Sequence, residues 1–239
     1  LVAGVENIVQ SIKEFERDRY DKLDDMASTI GTTMLGLTIG CARCHDHKYD
    51  PISQRDYYRF VSSFEQTASR EIMLGSQETG TKAYAAVDVG DEVRKVEKFF
   101  NVGTDQEKFV LEARVHFLER GDVNAKLEVA TQSFPQVLMR GGFREDHWQK
   151  PTSANEQSPP PRVTLAHWIT DVSHGAGNLL ARVMVNRLWQ HHMATGLVAT
   201  PSDFGQRGER PTHPELLDWL ASDLVSSGWG LKWMHRRMM

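Results

Sequence analysis

Apolar residues recur along much of the chain at the three- and four-residue spacing of a helix face, which predicts a mainly α protein with little β structure. In the first forty residues they lie at Val5, Ile8, Val9 and Ile12, and again at Leu23, Met26, Ile30, Met34 and Leu37. The charged stretch between them, residues 13–25, is interpreted as a solvated face or a helix break. Ser53 with Asp56 three residues later predicts a capping box that opens a helix reaching Phe64.

The middle of the chain has weaker patterns. Residues 66–100 combine glycines with many polar side chains and are predicted to be loop. Residues 104–130 are charged and weakly helical, with Thr104 as the N-cap. Residues 136–139 form a short apolar run typical of a strand or an extended segment. Residues 143–162, which contain four prolines, are predicted to be a linker or an exposed loop.

The last third is predicted to be helical over residues 163–170, 177–195 and 213–227, with a further helix from Leu231. The buried face of the helix at 213–227 is predicted to consist of Leu216, Leu217, Trp219, Leu220 and Leu224. Trp229 and Trp233 are likewise predicted to be core residues rather than a platform for a sugar.

Composition and charge exclude several classes of protein. The 239 residues are 40% hydrophobic and 25% charged, with a net charge of −4 and a mean hydropathy of −0.46. This small acidic excess argues against a nucleic-acid-binding protein, and no apolar run approaches the ~18 residues of a membrane span. The chain begins at Leu1 without the features of a signal peptide and ends in an uncapped helical pattern. We therefore interpret it as an internal fragment of a longer protein.

The two cysteines form the candidate chemical site. Cys41 and Cys44 are followed directly by His45 in a Cys-x-x-Cys-His motif, the signature of covalent c-type haem attachment. The two thiols would bond to the two vinyl groups of haem, and His45 would be the axial ligand of the iron. Because haem is attached outside the cytoplasm, this hypothesis predicts an exported, periplasmic protein whose signal peptide lies upstream of the fragment.

Three alternatives remain open for this motif. A structural zinc site would use Cys41, Cys44, and His45 or His47, together with one distant ligand. A thioredoxin-like redox pair would need a preceding strand, and a buried thiol pair beside a packing histidine would need no cofactor. The haem hypothesis predicts an open cavity beside His45, whereas the zinc hypothesis predicts a fourth ligand that converges on a common point.

Polar residues that follow the motif are candidates for tuning it. Asp46 and His47 would form a second shell that orients His45, and the alternative is a capped loop in which Asp50 precedes Pro51. The sixth iron ligand is not assigned, and the candidates by residue type alone are Met73, Met193, His191 and His192.

Polar residues also crowd one helix of the last third. A site for a sugar or an anion would be lined by Asn186, Arg187, His191 and Asp203. The favoured alternative is a polar network that holds the turn at residues 200–205.

Residues 35–52, LGLTIGCARCHDHKYDPI, followed by QRDYY at 54–58, resemble the planctomycete cytochrome-C-like domain of large, multidomain, exported bacterial proteins. The resemblance covers residues 20–66, the tail of that domain. The C-terminal third resembles the domain of unknown function that follows it in the same proteins. That second resemblance lies in residues 181–192, 196–198, 200–205 and 212–221, where the first run reads ARVMVNRLWQHH.

The resemblance implies export, haem and an association with polysaccharide-degrading gene sets. It divides the chain into residues 1–66, a helical cytochrome-c-like segment; 67–131, a poorly matched connecting region; and 132–239, part of a helical domain of unknown function. We expect an exported c-type haem protein with an electron-transfer or haem redox role, linked to polysaccharide breakdown and served by an unknown redox partner. The alternative is a non-haem member whose Cys/His cluster binds structural zinc and whose C-terminal domain handles carbohydrate or another partner.

Overall fold

The computed structural model describes residues 12–74, 81–88, 95–102, 105–112, 114–150 and 158–239. The helices of these residues are α1 (Ile12–Ile30), α2 (Gln54–Val61), α3 (Asp146–Gln149), α4 (Pro161–Thr170), α5 (Gly177–Met193), α6 (Pro214–Ser226) and α7 (Leu231–Met238). The strands are β1 (Thr67–Leu74), β2 (Thr81–Asp88), β3 (Lys95–Val102), β4 (Asp105–Glu112), β5 (His116–Leu118) and β6 (Lys126–Val129). The predicted mainly α fold is confirmed.

The strands form three separate antiparallel hairpins, β1–β2, β3–β4 and β5–β6. Thr67 pairs with Asp88 in the first hairpin, and Lys95 pairs with Glu112 in the second. The predictions of loop over 66–100 and of weak helix over 104–130 were therefore wrong, although Thr104 itself lies outside the described residues. Aromatic and β-branched residues are frequent in β3 and β4, and such residues favour paired strands over a helix.

The first helix runs without interruption through the charged stretch, so residues 13–25 are not a helix break. It continues into a π-helical turn, Gly31–Leu35, which ends where Gly36 adopts a left-handed backbone conformation with φ of 60°. A side chain is disfavoured at that φ, so glycine suits the sharp stop. A 3-10 turn, Ile39–Arg43, follows directly and contains the first cysteine.

The second helix begins as predicted. The Ser53 hydroxyl accepts a hydrogen bond from the Asp56 backbone amide, and the Asp56 carboxylate accepts one from the Ser53 amide. This reciprocal pair satisfies two amides that the helix cannot satisfy internally. The helix then buries Tyr57, Tyr58, Phe60 and Val61 behind the 3-10 turn.

Two hydrophobic clusters form the core of the described residues. The first joins α1, α2 and α4 around the stacked rings of Phe134 and Trp168, whose centroids lie 4.5 Å apart. The second joins α5, α6 and α7, and its fully buried members are Ala181, Val185, Leu217, Leu224 and Met234.

The helices of the last third are confirmed within two residues of their predicted bounds. The predicted core tryptophans are wrong in two cases, because Trp219 is 49% exposed and Trp233 is 40% exposed. Leu217, Leu220 and Leu224 form the buried face of α6, and Trp219 lies outside that spacing.

Two predictions in the middle of the chain were incomplete. Residues 136–138 form a 3-10 turn rather than a strand, and the predicted linker contains α3, whose Trp148 is buried. Residues 151–157 of that linker lie outside the described residues. Among the helices of the described ranges, none is both long enough and apolar enough to cross a membrane.

Candidate functional site

The cysteine motif lies on the surface, on the 3-10 turn that follows the first helix. Ile39 and Ala42 point into the core and are 1% and 0% exposed, whereas Cys41 and Cys44 are both exposed free thiols. Cys41 lies within the turn and Cys44 directly follows it, and both thiols are accessible to solvent.

Two side chains of the second helix hold the backbone of the motif. The carbonyl oxygen of Arg43 accepts a hydrogen bond from the Tyr58 hydroxyl at 2.8 Å and from the Gln54 side-chain amide at 3.0 Å. The Arg43 guanidinium reaches back to α1, where it donates to the Asp21 carboxylate at 2.7 Å. The backbone between the two cysteines is thereby fixed from two helices.

A buried hydroxyl–carboxylate pair lies beside these contacts. The Tyr57 hydroxyl donates to Oδ1 of Asp24 at 2.5 Å, and the Arg43 guanidinium lies 3.6 Å from the other Asp24 oxygen. Burial raises the pKa of Tyr57 far above its ordinary value, and the hydrogen bond to Asp24 and its negative charge raise it further. The phenol therefore stays protonated and acts as a hydrogen-bond donor.

His45 projects to the surface with one ring nitrogen already engaged. Its Nδ1 lies 2.6 Å from the backbone carbonyl oxygen of Asp46. A carbonyl oxygen can only accept, so Nδ1 is the donor, and in the neutral ring Nε2 then keeps its lone pair. This is the tautomer in which a histidine binds a metal through Nε2 while its other nitrogen donates to a carbonyl.

Asp46 and His47, the predicted second shell, play different parts. Asp46 meets His45 through its backbone carbonyl, while its carboxylate accepts from the Gln54 amide at 2.7 Å, at the start of α2. His47 turns inward: its Nδ1 accepts from the Asp50 amide at 2.8 Å, and its Nε2 lies 3.2 Å from the Thr38 hydroxyl. Both nitrogens of His47 are thus engaged within the loop.

The loop after the motif is packed against the C-terminal third. Asp50 is only 7% exposed, and its carboxylate accepts from the backbone amide of Gln206 at 2.7 Å. A Cβ atom on Gly205 would lie 2.5 Å from the same carboxylate. The absence of a side chain at Gly205 is what lets the carboxylate approach this backbone so closely.

The turn before β6 also approaches the motif. Gly121 has a φ of 78°, and a Cβ atom at this position would lie 2.8 Å from Sγ of Cys44. The glycine therefore leaves space beside the second thiol. The sequence alone gave no signal for this contact, because the residues are 77 positions apart in the chain.

Within the described residues, the structure does not bring the candidates for the sixth iron ligand together. The side chain of Met73 lies outside the described residues. At the end of α5, Met193 is 47% exposed and His191 is exposed, while Nε2 of His192 lies 2.8 Å from Nδ1 of His235. The sixth position stays unassigned.

The polar residues predicted around α5 form a structural network. The buried Asn186 side chain donates to the Val198 carbonyl at 2.9 Å and accepts from the Val198 amide at 2.8 Å. The Arg187 guanidinium donates to the carbonyl of Thr32 at 3.0 Å and to that of Pro201 at 3.2 Å. These contacts use the polar groups to hold the chain rather than to line an open site.

Cavities occur elsewhere on the described surface. One of about 430 Å³ is mostly apolar and lies between α1 and α4, where Met26, Ile30 and Leu165 line it. Two others, of about 510 and 600 Å³, lie beside Arg59 and beside Arg182. Cys41, Cys44 and His45 line none of these three, so the open cavity that the haem hypothesis predicts beside His45 is not among them.

The motif does not gather its donors around one point. Within the described residues, the one group of three or more Cys, His, Asp or Glu side chains whose donor atoms lie within 4.8 Å of one another is His147, Asp171 and His174. The sequence analysis missed this group. Its only sequence signal is the Asp-x-x-His spacing at 171–174, because His147 reaches it through the tertiary fold.

Two family models match the chain. Residues 3–69, which include the motif, match PSCyt2, "Protein of unknown function (DUF1549)", and residues 161–239 match PSD1, "Protein of unknown function (DUF1553)". Both families are typical of planctomycete-type proteins, and neither description names a cytochrome c domain. No curated protein and no solved structure matches the chain.

Proposed function

We propose that this protein carries one c-type haem, bonded covalently to Cys41 and Cys44, and that it serves electron transfer or another haem redox reaction. The observation that carries the proposal is the hydrogen bond of 2.6 Å between Nδ1 of His45 and the Asp46 carbonyl. When Nδ1 of the neutral ring donates to that carbonyl, the Nε2 lone pair is available to serve as the axial ligand of iron.

The thiols fit covalent attachment. Both are exposed and neither is in a disulfide, and they lie three residues apart at the end of one 3-10 turn. Each thiol can add across one vinyl group, so that sulfur bonds to one carbon and the hydrogen goes to the other, with no leaving group. A side chain at Gly121 would crowd Sγ of Cys44, and the glycine removes that obstacle.

Within the part of the chain that the structure describes, the motif lacks the converging donors that a structural zinc site needs. A zinc ion needs four donors about 2.0–2.3 Å from a single point. In the described residues Cys41, Cys44 and His45 do not form such a group, and both nitrogens of His47 are engaged in its own loop. Thioether attachment makes no such demand, because the two sulfurs bond to separate carbons at the edge of the porphyrin.

Hydrogen bonds around the motif would hold the backbone and the histidine ring that bind the haem. A bound haem would supply a one-electron iron couple, whose potential depends on the ligands and on exposure to solvent. Tyr58 and Gln54 hold the carbonyl of Arg43, and Asp46 holds the ring of His45. Because maturation of c-type haem takes place outside the cytoplasm, the proposal includes export and a redox partner on that side of the membrane.

Expression of the chain behind an export signal, in a bacterial host that contains the cytochrome c maturation proteins, tests this function. We expect a haem-stained band that survives denaturing electrophoresis and an absorption spectrum with a sharp Soret band. The Cys41→Ser, Cys44→Ser double variant should give a band of equal protein amount without stain, and Lys48→Ala, beside the motif, should keep the stain. An unstained wild-type band with equimolar zinc would instead support the zinc alternative.

A second candidate function concerns the C-terminal third, where two exposed tryptophans flank one arginine. The Arg237 guanidinium lies 4.9 Å from the ring centroid of Trp219 and 5.6 Å from that of Trp233. Exposed indole rings offer flat apolar faces for a sugar, and the Arg237 guanidinium, whose Nε donates to Asp223 at 3.2 Å, has further N–H groups for an acidic group. We propose that this surface binds an acidic polysaccharide.

A further inference from the structure

A cluster of two histidines and one aspartate lies apart from the cysteine motif. His147 belongs to α3, Asp171 follows the last turn of α4, and His174 lies in the turn that leads to α5. Nε2 of His147 is 3.9 Å from Oδ2 of Asp171, and Nδ1 of His174 is 3.7 Å from the same oxygen. The helix α3 and the turn between α4 and α5 thus bring their donor atoms to one place.

The aspartate is held in a fixed orientation. Its Oδ1 accepts from the backbone amides of Ser173 at 2.9 Å and His174 at 3.0 Å, and its Oδ2 accepts from the Trp148 indole at 3.0 Å. These three hydrogen bonds hold the carboxylate in one orientation. Oδ2 accepts one of them, from Trp148, and has a second lone pair that a metal ion can use.

The two imidazoles are supported but accessible. The ring of Phe143 packs on both of them, with centroids 3.9 Å from that of His174 and 4.6 Å from that of His147. The side chains of His147 and His174 remain 39% and 35% exposed. They can therefore shift from their present separations, which are all within 4.8 Å, toward the ~3.3 Å between ligands of a tetrahedral metal.

The donor set selects a class of metal. Calcium and magnesium prefer shells of oxygen atoms, whereas two imidazoles and one carboxylate suit zinc and the neighbouring divalent transition metals. Three protein donors with exposed histidines leave coordination positions open to water or to a ligand. The Trp148 indole donates a hydrogen bond to the Asp171 carboxylate, as outer-shell residues do to the ligands of a metal site.

We propose that His147, Asp171 and His174 form a binding site for a divalent transition metal of the zinc class. The bound ion links α3 to the end of α4 and to the turn before α5. This site is separate from the cysteine motif and does not depend on haem.

Calorimetric titration of the full chain with zinc chloride tests the site. The Cys41→Ser, Cys44→Ser variant is used as the background, so that thiols cannot bind the added ion. We expect one zinc ion per chain in this background and in its His213→Ala derivative, whose exposed histidine lies elsewhere. His147→Ala and His174→Ala should each weaken binding by about 100-fold or more, and Trp148→Phe by about tenfold.

Thermal unfolding provides a second readout. Zinc should raise the Tm of the background and of His213→Ala, and should leave the Tm of His147→Ala and His174→Ala unchanged, because only a site present in the folded chain stabilises it. The assignment is wrong if the background binds no zinc, or if it binds zinc equally well after both histidine substitutions. Either result leaves the haem proposal untouched, since the variant lacks both thiols.

Discussion

The backbone amide of Gln206 donates a hydrogen bond of 2.7 Å to Oδ1 of Asp50, across 156 residues of the chain. The Phe204 amide makes a similar contact with the carbonyl of Gly36 at 2.6 Å. Both contacts join the segment around the cysteine motif to the C-terminal third. The two ranges matched by separate family models therefore pack against each other at the loop that follows His45.

The Asp50 contact predicts that the C-terminal third stabilises the motif loop. Asp50→Ala removes the buried carboxylate that accepts from the Gln206 amide, and the loss of a hydrogen bond to a charged group costs about 1–3 kcal/mol. Denaturant unfolding measures the loss. Glu119→Ala, at an exposed carboxylate, is the control and should leave the free energy of unfolding nearly unchanged. Equal stability of Asp50→Ala and the wild type would show that the contact does not matter.

The close approach of Gly205 to Asp50 predicts that substitutions at these two residues have non-additive effects on stability. Gly205→Ala places a Cβ atom 2.5 Å from the Asp50 carboxylate, and we expect a cost of roughly 1–3 kcal/mol. Gly230→Ala, whose added carbon would have only ordinary contacts, is the matched control. In the Asp50→Ala background the clash is gone, so Gly205→Ala should cost much less there. Strictly additive effects in this double-mutant cycle would refute the steric explanation.

The buried Tyr57 hydroxyl predicts a loss of stability at alkaline pH. In the unfolded chain this phenol ionises near its ordinary pKa of 10.0, whereas burial and Asp24 raise the pKa in the folded chain. The unfolded chain therefore releases a proton that the fold retains, and the stabilisation present below about pH 10 is lost as the pH rises.

Unfolding curves at several pH values measure this effect. Tyr57→Phe removes up to one proton from the difference between the folded and unfolded chains. The unfolding free energy should therefore fall less steeply at alkaline pH, by up to about 1.4 kcal/mol per pH unit. Tyr49→Phe, at a tyrosine that is 41% exposed, should keep the wild-type slope. An identical slope in Tyr57→Phe would mean that Tyr57 is not the group responsible.

The exposed tryptophan pair predicts polysaccharide binding by the C-terminal third. Affinity electrophoresis in gels with and without alginate should show retardation of the wild type. Trp219→Ala and Trp233→Ala should each weaken binding by about three- to tenfold, because each removes one indole face. Val163→Ala shortens a similarly exposed apolar side chain elsewhere and should bind normally. Retardation that persists unchanged in both tryptophan variants would exclude this surface.

The sequence predicted those features that depend on local pattern. The capping box at Ser53 and Asp56, and the helices of the last third, follow from spacing within one or two turns. Hairpins β1–β2 and β3–β4 were missed, because a polar stretch with scattered glycines has the composition of a loop whether or not it pairs with its neighbour. Trp219 was placed in the core because of its apolar character, although its position lies off the stripe formed by Leu217 and Leu220.

The candidate sites depend on tertiary packing to different degrees. The Cys-x-x-Cys-His motif is contiguous, so the sequence located it directly. The orientation of His45, the inward turn of His47 and the contact of Asp50 with Gln206 arise only when distant segments pack. The same holds for His147, which meets Asp171 and His174 through the placement of a four-residue helix.

Peptide mapping by mass spectrometry of the exported and matured chain tests haem attachment most directly. We predict that the peptide containing residues 41–45 carries the added mass of one haem, and that fragmentation locates the adduct on Cys41 and Cys44 together. A His45→Ala variant, with intact thiols, should show an altered Soret band because the axial ligand is lost. An unmodified peptide with two free thiols, from cells that mature a control c-type cytochrome normally, would contradict the proposal.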